Sequence, residues 1–229
     1  MAAFLLGTLE FDACLALQQR LVFEAGGRQD GLISLLVCEH PLLITVGRQG
    51  SRTDIRLGEQ AMASERLNVR WVNRGGGAIA HAPGQVAVYP IVPLEAHGWT
   101  VGQYLNRLQT GLTATLTELG LQCQASPAGS PFGVWGRTGQ VAALGVAVKN
   151  WTSYFGAYIN VSPPRRLLSA VHTDSRRRAP MTSLAIERQQ PTQMSRVREA
   201  LVRNLASAFD APRYNIHTGH SLTPSTRVA

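Results

Sequence analysis

The chain of 229 residues is 45% apolar and 16% charged, and it carries a formal net charge of +8. This length and composition suit one globular domain with a well-covered core, and no run reaches the ~18 apolar residues that a membrane-spanning helix needs. The first residues lack the basic and apolar regions of a secretory signal, so we expect a cytoplasmic protein.

The first half of the chain alternates helical and strand-like patterns. Apolar residues at helical spacing from Phe11 to Phe23 predict a helix that ends at Gly26-Gly27. Continuous apolar runs predict strands at 32–38 and 42–46, and a short helix follows at 57–67.

The second half begins with the longest predicted helix, at 99–119. Thr100 precedes it as an N-cap, and Gln103 stands three residues later as in a capping box. Further strands are predicted at 121–124, 133–136, 140–148 and 154–161, the last two as a hairpin, before a closing helix at 194–209.

Most of the links between predicted strands are too short for crossover helices. The sequence therefore predicts an α+β fold with a mixed, largely antiparallel sheet and packed helices. We expect one domain over residues 1–229, with a polar, flexible tail at about 212–229.

The positive charge comes almost wholly from arginine, since Lys149 is the only lysine in the chain. A basic surface favours acidic partners. The densest clusters are Arg165-Arg166 and Arg176-Arg177-Arg178, and no aromatic residues are interleaved with them. The pattern therefore predicts a solvated basic face and no nucleic-acid binding.

Three cysteines, Cys14, Cys38 and Cys123, are odd in number, widely spaced and set in apolar or mixed surroundings. Their spacing matches neither a metal-binding motif nor a disulfide framework, so it favours reduced, buried thiols. We expect no metal and no cofactor.

A glycine-rich stretch separates two strand-like runs, at 69–72 and 86–92. This stretch, residues 74–85, is called the glycine loop. It contains Arg74-Gly75-Gly76-Gly77, then His81, then Pro83-Gly84-Gln85. Consecutive glycines weaken a strand, but they permit positive φ and a close approach of backbone amides to a bound molecule. The stretch is typical of a ligand-binding loop.

Five segments occur in the order and spacing of a known family. The chain resembles lipoate-protein ligase B, the octanoyltransferase of lipoyl synthesis, within the biotin/lipoate ligase fold, over roughly residues 10–210. The segments are Leu35 to Pro41 with Thr45-Val46-Gly47-Arg48, the glycine loop with Tyr89-Pro90, Val141 to Val146, Asn160-Val161, and Thr182-Ser183-Leu184.

The resemblance implies an acyltransferase that takes octanoate from acyl carrier protein as a thioester on a cysteine, then passes it to a lysine of a lipoyl domain. A neighbouring lysine helps to keep the cysteine ionised. Both partner proteins are acidic, which suits the +8 charge. The implied acyl site consists of Arg74, Gly75, Gly76, Gly77, His81, Pro83, Gly84, Gln85, Ala143, Leu144, Gly145, Phe155 and Gly156.

The chain departs from the family at the residues that carry the chemistry. Thr173 aligns with the cysteine, and no cysteine lies between Ser162 and Met181. Gln140 aligns with the lysine, and Phe155 stands where the family has histidine. Lys149 lies nine residues beyond Gln140, roughly 30 Å along an extended strand, so it is a poor substitute.

These departures leave two hypotheses. In the first, the protein keeps the fold and acyl pocket and binds an acyl group, or its carrier, without turnover. In the second, it is an active octanoyltransferase that uses Thr173 with His81 or His172 as base and Asp174 as orienting group, or direct attack by the acceptor lysine. ATP-dependent ligation is disfavoured because such ligases rely on an active-site lysine, and Cys123 lies far in sequence from the expected nucleophile.

Three further residues have more than one interpretation. The sequence context favours a structural role for His40, which ends a buried strand, and for His97, which lies beside a helix cap. For Arg74 two roles stay open. It can hold a carboxylate or phosphate of a ligand, or it can pin the loop by donating to backbone carbonyls.

Overall fold

A computed structural model describes residues 1–28, 30–64, 66–126, 133–173 and 180–222. Its helices are α1 (Phe11–Gly27), α2 (Glu59–Ser64), α3 (Val101–Glu118), α4 (Arg165–Leu168), α5 (Leu184–Arg188) and α6 (Met194–Ala208). Its strands are β1 (Ala2–Thr8), β2 (Ser34–Glu39), β3 (Leu43–Val46), β4 (Asn68–Trp71), β5 (Ala78–His81), β6 (Gln85–Ile91), β7 (Gln124–Ala125), β8 (Gly133–Trp135), β9 (Gln140–Lys149), β10 (Thr152–Asn160) and β11 (Asn215–Thr218).

The strands form two sheets. An eight-stranded sheet has the order β11-β1-β2-β6-β10-β9-β8-β7, and a three-stranded sheet has the order β4-β3-β5. The pairs β1/β11, β1/β2 and β3/β4 are parallel, and the other pairs are antiparallel. The predicted α+β fold with a mixed, largely antiparallel sheet is confirmed.

The central strands of the large sheet are buried on both faces, and alternate side chains of each strand point to opposite sides. On β6, Val86 and Val88 pack with helices α3 and α6, whereas Ala87 and Tyr89 pack with α1. This two-sided burial explains why β2 and β6 are continuous apolar runs and not alternating ones.

The structure confirms the main helices and the hairpin that local sequence patterns predicted. Thr100 and Gln103 form the predicted capping box at the start of α3. Strands β9 and β10 form the predicted hairpin, whose turn residues Asn150 and Trp151 have φ of 49° and 55°. The glycine stretch differs from the prediction, because residues 78–81 form strand β5, paired antiparallel with β3.

The region predicted as a polar, flexible tail contains one strand. Residues 215–218 of that tail form β11, which pairs in parallel with β1 at the edge of the large sheet. The polar sequence of β11 gave no strand signal because all four of its residues are exposed. Residues 223–229 lie outside the described residues.

Within the described ranges, no helix combines the length and the apolar character needed to traverse a lipid bilayer.

Candidate functional site

Arg74 holds the glycine loop from inside the protein. Its side chain is 1% exposed. Its Nη1 donates to the carbonyl oxygens of Gly75 (2.9 Å) and Gly77 (3.0 Å), and its Nη2 donates to Thr45 O (3.0 Å) and Thr45 Oγ1 (2.8 Å). Of the two roles open to Arg74, the structure displays the pinning of the loop by bonds to carbonyls.

His81 continues this network into the core. Its Nε2 lies 2.9 Å from Thr45 Oγ1, and its Nδ1 lies 2.9 Å from Gln85 Oε1. Gln85 Nε2 donates to Ala80 O and Asn160 Oδ1, so Gln85 Oε1 is the atom that accepts a hydrogen bond from His81. The network therefore assigns the proton to Nδ1, and Nε2 accepts from the Thr45 hydroxyl.

The environment of His81 favours the neutral imidazole. Burial lowers the pKa of His81 well below its usual range, and the neighbouring His40 and Arg74 lower it further. The ring is 0% exposed, and both of its nitrogens have protein partners. To act as a base toward a substrate, His81 would have to give up one of these two hydrogen bonds.

Three polar residues that received no role from the sequence complete the network. Thr45 links Arg74 to His81, and Asn160 links Gln85 to the carbonyl of Thr182 through a 3.1 Å bond. Glu39 accepts from the Gly84 amide at 2.7 Å. Each of these residues is a polar interruption at or near the end of an apolar strand, which is the signal that could have identified them.

The glycines allow the loop to pack closely on neighbouring backbone. A Cβ on Gly77 would lie 2.6 Å from Thr173 O, and a Cβ on Gly145 of β9 would lie 2.7 Å from Gly75 O. The amides of Gly75, Gly76 and Gly77 donate to Val146 O, Gln49 Oε1 and Thr173 O. A ligand that uses these amides would have to replace such a bond, and the half-exposed Gly76, bonded to the exposed Gln49, is the most accessible.

Thr173 and Gln140 come together although 33 residues separate them. The Thr173 hydroxyl donates to Gln140 Oε1 at 2.9 Å and also lies 3.7 Å from Met181 Sδ. Both residues are buried, at 9% and 2% exposure. Because the Gly77 amide donates to Thr173 O, this pair lies directly against the glycine loop.

Phe155 and Gly156 stand opposite the part of β9 on which the loop packs. Phe155 pairs with Val146, and Gly156 pairs with Gly145. Phe155 is buried with φ of 56°, and its amide donates to Gln18 Oε1 at 2.8 Å. A Cβ on Gly156 would lie 2.1 Å from Val88 O, so glycine is required there.

The structure thus gathers most of the predicted site residues into one region. The loop, Leu144 and Gly145 of β9, Phe155-Gly156 and the Thr173–Gln140 pair are neighbours, and the buried Ala143 lies on the same strand. His81 and Gln85 reach this region through Thr45 and Arg74, while Pro83 is exposed at the turn between β5 and β6.

Several other candidates lie elsewhere. Lys149 is exposed at the far end of β9 from Gln140, and the half-buried Cys123 lies against α3, 3.6 Å from Thr117 Oγ1. His97 bonds the carbonyl of Gly31, and the half-buried His172 contributes backbone bonds to Asp54 and Ala78. Asp174 and the cluster Arg176-Arg177-Arg178 lie outside the described residues.

The sequence matches a known family along most of its length. Residues 11–206 match the family described as the lipoyl protein ligase A/B catalytic domain. A curated relative, the octanoyltransferase of Geobacter sp. (strain M21), is 34% identical over 181 residues, which cover 79% of this chain and 83% of that protein.

Solved structures share the fold at lower identity. A putative lipoate protein ligase from T. acidophilum with bound lipoic acid gives a TM-score of 0.75 at 14% identity, covering 96% of this chain and 90% of that one. A bipartite lipoate protein ligase from Thermoplasma acidophilum, studied with its lipoyl domain, gives 0.74 at 14% identity, covering 96% and 88%. These likenesses confirm the predicted ligase-like fold.

Proposed function

Because the chain belongs to the lipoyl protein ligase A/B catalytic-domain family and is octanoyltransferase-like, we propose that it binds a medium-chain acyl group or the protein that carries one. It does so without the cysteine and lysine chemistry that the family resemblance implies. The binding region is the surface of the glycine loop beside β9 and Thr173.

The Thr173–Gln140 hydrogen bond is the observation that carries this proposal. A threonine hydroxyl needs a positioned base before it can attack a thioester. Here the hydroxyl donates to a side-chain amide oxygen at 2.9 Å, and a neutral amide oxygen is far too weak a base to take that proton. The pair therefore holds the hydroxyl in place and does not ionise it.

Among the described residues, no cysteine or lysine lies beside Thr173 and Gln140 to supply the thiol and the ammonium. Lys149, the only lysine in the sequence, is exposed at the opposite end of β9. Cys14 and Cys38 are fully buried and therefore inaccessible to the thioester of a carrier protein. Cys123 packs against α3.

The charge around the site supports an acidic protein partner. Arg48 is exposed on the turn that bonds the glycine loop, since its amide donates to Arg74 O. Arg56 and Arg165 are exposed beside the segment that leads to Thr173, with the Arg56 amide bonded to Ala170 O. Such a surface attracts an acidic acyl carrier protein or lipoyl domain.

One assay separates binding from transfer. The protein is incubated with octanoyl-acyl carrier protein and an apo lipoyl domain, the acceptor mass is followed, and binding of each partner is measured separately. We expect binding of the acylated carrier, weakened by salt, and an unchanged acceptor mass. A cysteine-containing octanoyltransferase serves as the positive control for transfer.

The alternative function, an octanoyltransferase of altered mechanism, predicts a different result. Octanoylation of the acceptor that Thr173→Val abolishes and Thr113→Val preserves would overturn the proposal. Thr113 is the matched control because it lies on α3 and its hydroxyl donates to Gln109 O of the same helix. Absence of both binding and transfer would overturn both functions.

A further inference from the structure

Two cysteines and a histidine meet in the core behind the glycine loop. Cys14 comes from α1, Cys38 from β2, and His40 follows β2, so that Cys38 and His40 share one face of the strand. One ligand atom from each residue lies within 4.8 Å of the others. All three side chains are at most 1% exposed.

We propose that Cys14, Cys38 and His40 form a binding site for a soft divalent metal ion, Zn²⁺, which fastens helix α1 to the central sheet. We call these three residues the thiol–imidazole cluster. Thiolates and imidazoles are the preferred ligands of zinc in proteins.

The distances between the ligand atoms support this assignment. Tetrahedral zinc, with Zn–S of about 2.3 Å and Zn–N of about 2.0 Å, places two sulfurs about 3.8 Å apart and a sulfur and a nitrogen about 3.5 Å apart. The observed Cys14 Sγ to Cys38 Sγ distance is 3.9 Å, and Cys38 Sγ to His40 Nε2 is 3.6 Å. The remaining distance, between the ligand atoms of Cys14 and His40, is within 4.8 Å and needs to shorten by about 1.3 Å at most.

His40 is oriented as a zinc-binding histidine usually is. Its Nδ1 lies 2.7 Å from the carbonyl oxygen of Leu9, which can only accept, so Nδ1 carries the proton. The lone pair of the neutral ring is therefore on Nε2, which faces Cys38. A histidine that ligates a metal commonly donates its other N–H to a backbone carbonyl in this manner.

Gln18 supplies a second oriented contact. Its Oε1 accepts from the Phe155 amide at 2.8 Å, which turns its Nε2 toward Cys14 Sγ at 3.8 Å. An N–H directed at a metal-bound sulfur stabilises the thiolate form. The Tyr89 hydroxyl lies 2.7 Å from His40 Nε2 and has to give up this hydrogen bond when the ion binds.

The charge balance also suits a buried site. Zn²⁺ with two thiolates and a neutral imidazole has no net charge, so occupation avoids the cost of an unpaired buried ion. Binding releases the two thiol protons to solvent.

Full burial predicts when the ion is taken up. Zinc must enter during folding or after α1 opens, because no ligand atom is exposed in the folded chain. Protein is therefore unfolded and refolded with Zn²⁺ under reducing conditions, passed over a desalting column with a weak chelator, and analysed for metal. We expect about one zinc per chain and a zinc-dependent rise in the midpoint of thermal unfolding.

Variants and a spectroscopic probe distinguish the site from adventitious binding. Cys14→Ser and Cys38→Ser should each lower the zinc content at least tenfold, whereas Cys123→Ser should retain it. Refolding wild type with Co²⁺ should give a thiolate-to-cobalt charge-transfer band whose intensity corresponds to two thiolates. This measurement needs no variant to fold.

Three results would overturn the proposal. One is folded wild-type protein without zinc after refolding in excess Zn²⁺. Another is equal zinc content in wild type and the Cys14→Ser, Cys38→Ser double variant. The third is a Cys14–Cys38 disulfide that forms under mild oxidation with Zn²⁺ present, because zinc-bound thiolates are protected from that reaction.

Discussion

Two adjacent parts of the molecule differ in how they are stabilised. The Arg74–Thr45–His81–Gln85 network is buried, and both nitrogens of its imidazole have partners. The neighbouring Thr173–Gln140 pair is joined by one neutral hydrogen bond. Removing any member of the Arg74–Thr45–His81–Gln85 network is destabilising, because it leaves buried polar groups without partners.

The buried network therefore gives evidence about structure, whereas the Thr173–Gln140 pair gives evidence about chemistry. The glycine loop and His81 belong to the motifs that carry the family resemblance, yet their contacts account for them as structural elements. In the function we propose, the absence of acyl transfer follows from the residues at 140 and 173. The retained loop is therefore compatible with a protein that binds without turnover.

The largest effect should follow from removing Arg74. Arg74→Ala leaves the carbonyls of Gly75, Gly77 and Thr45 without their buried donor, and we expect a loss of roughly 3 to 5 kcal/mol in the free energy of unfolding. Urea denaturation measures it. Arg48→Ala, which removes an exposed guanidinium at the same loop, should change stability by less than about 0.5 kcal/mol. Equal effects of the two changes would show that the buried network is not the stabilising part.

Restoring the family residues in the second region should create activity. The double change Thr173→Cys and Gln140→Lys places a thiol and an ammonium at two positions whose side chains are now 2.9 Å apart. We expect acceptor octanoylation at least about 10²-fold above the unaltered protein, the lower range for positioned acid–base assistance. The mass assay measures it, and either single change is the control. A correctly folded double variant that binds acyl carrier without transfer would show that the region lacks more than these two residues.

The network should also give the stability a pH dependence. The pKa of His81 is lowered by burial, so below about pH 6.5 the unfolded chain binds a proton that the native chain does not. Stability contributed by neutral His81 is complete above that pH and falls as the pH drops, by up to about 1.4 kcal/mol per unit. His40, whose pKa burial lowers to about 4, acts in the same direction.

A variant isolates the contribution of His81 to the pH dependence of the free energy of unfolding. In metal-free protein, His81→Gln should reduce the slope of unfolding free energy against pH by one proton. Urea titrations between pH 4.5 and pH 7 at fixed ionic strength give the slope. An unchanged slope in His81→Gln would mean that His81 is protonated in the native protein.

The smallest effect concerns the threonine hydroxyl alone. Thr173→Val keeps the shape of the side chain but removes one hydrogen bond to Gln140, so we expect a loss of about 1 kcal/mol. Thr113→Val, at a hydroxyl bonded within α3, should cost less. A loss above about 3 kcal/mol would place Thr173 in a cooperative network like that of Arg74.

Much of the fold could be predicted from local sequence. Helical periodicity gave α1, α3 and α6, and the capping residues Thr100 and Gln103 fixed where α3 begins. These signals are local, because each depends on residues within one or two turns of the chain. Strands β1 and β11 were missed, since β11 is exposed and polar and is ordered by its pairing with β1.

The sequence by itself determined the family resemblance and the fold class. It also excluded a second lysine and any cysteine between Ser162 and Met181, because these are facts of composition. Only the tertiary structure decided the contacts. It turned Arg74 inward to the loop carbonyls, joined Thr173 to Gln140, and brought Cys14 to Cys38 and His40. Such pairs lie tens of residues apart, and their meeting depends on the packing of whole helices and strands, which no local spacing encodes.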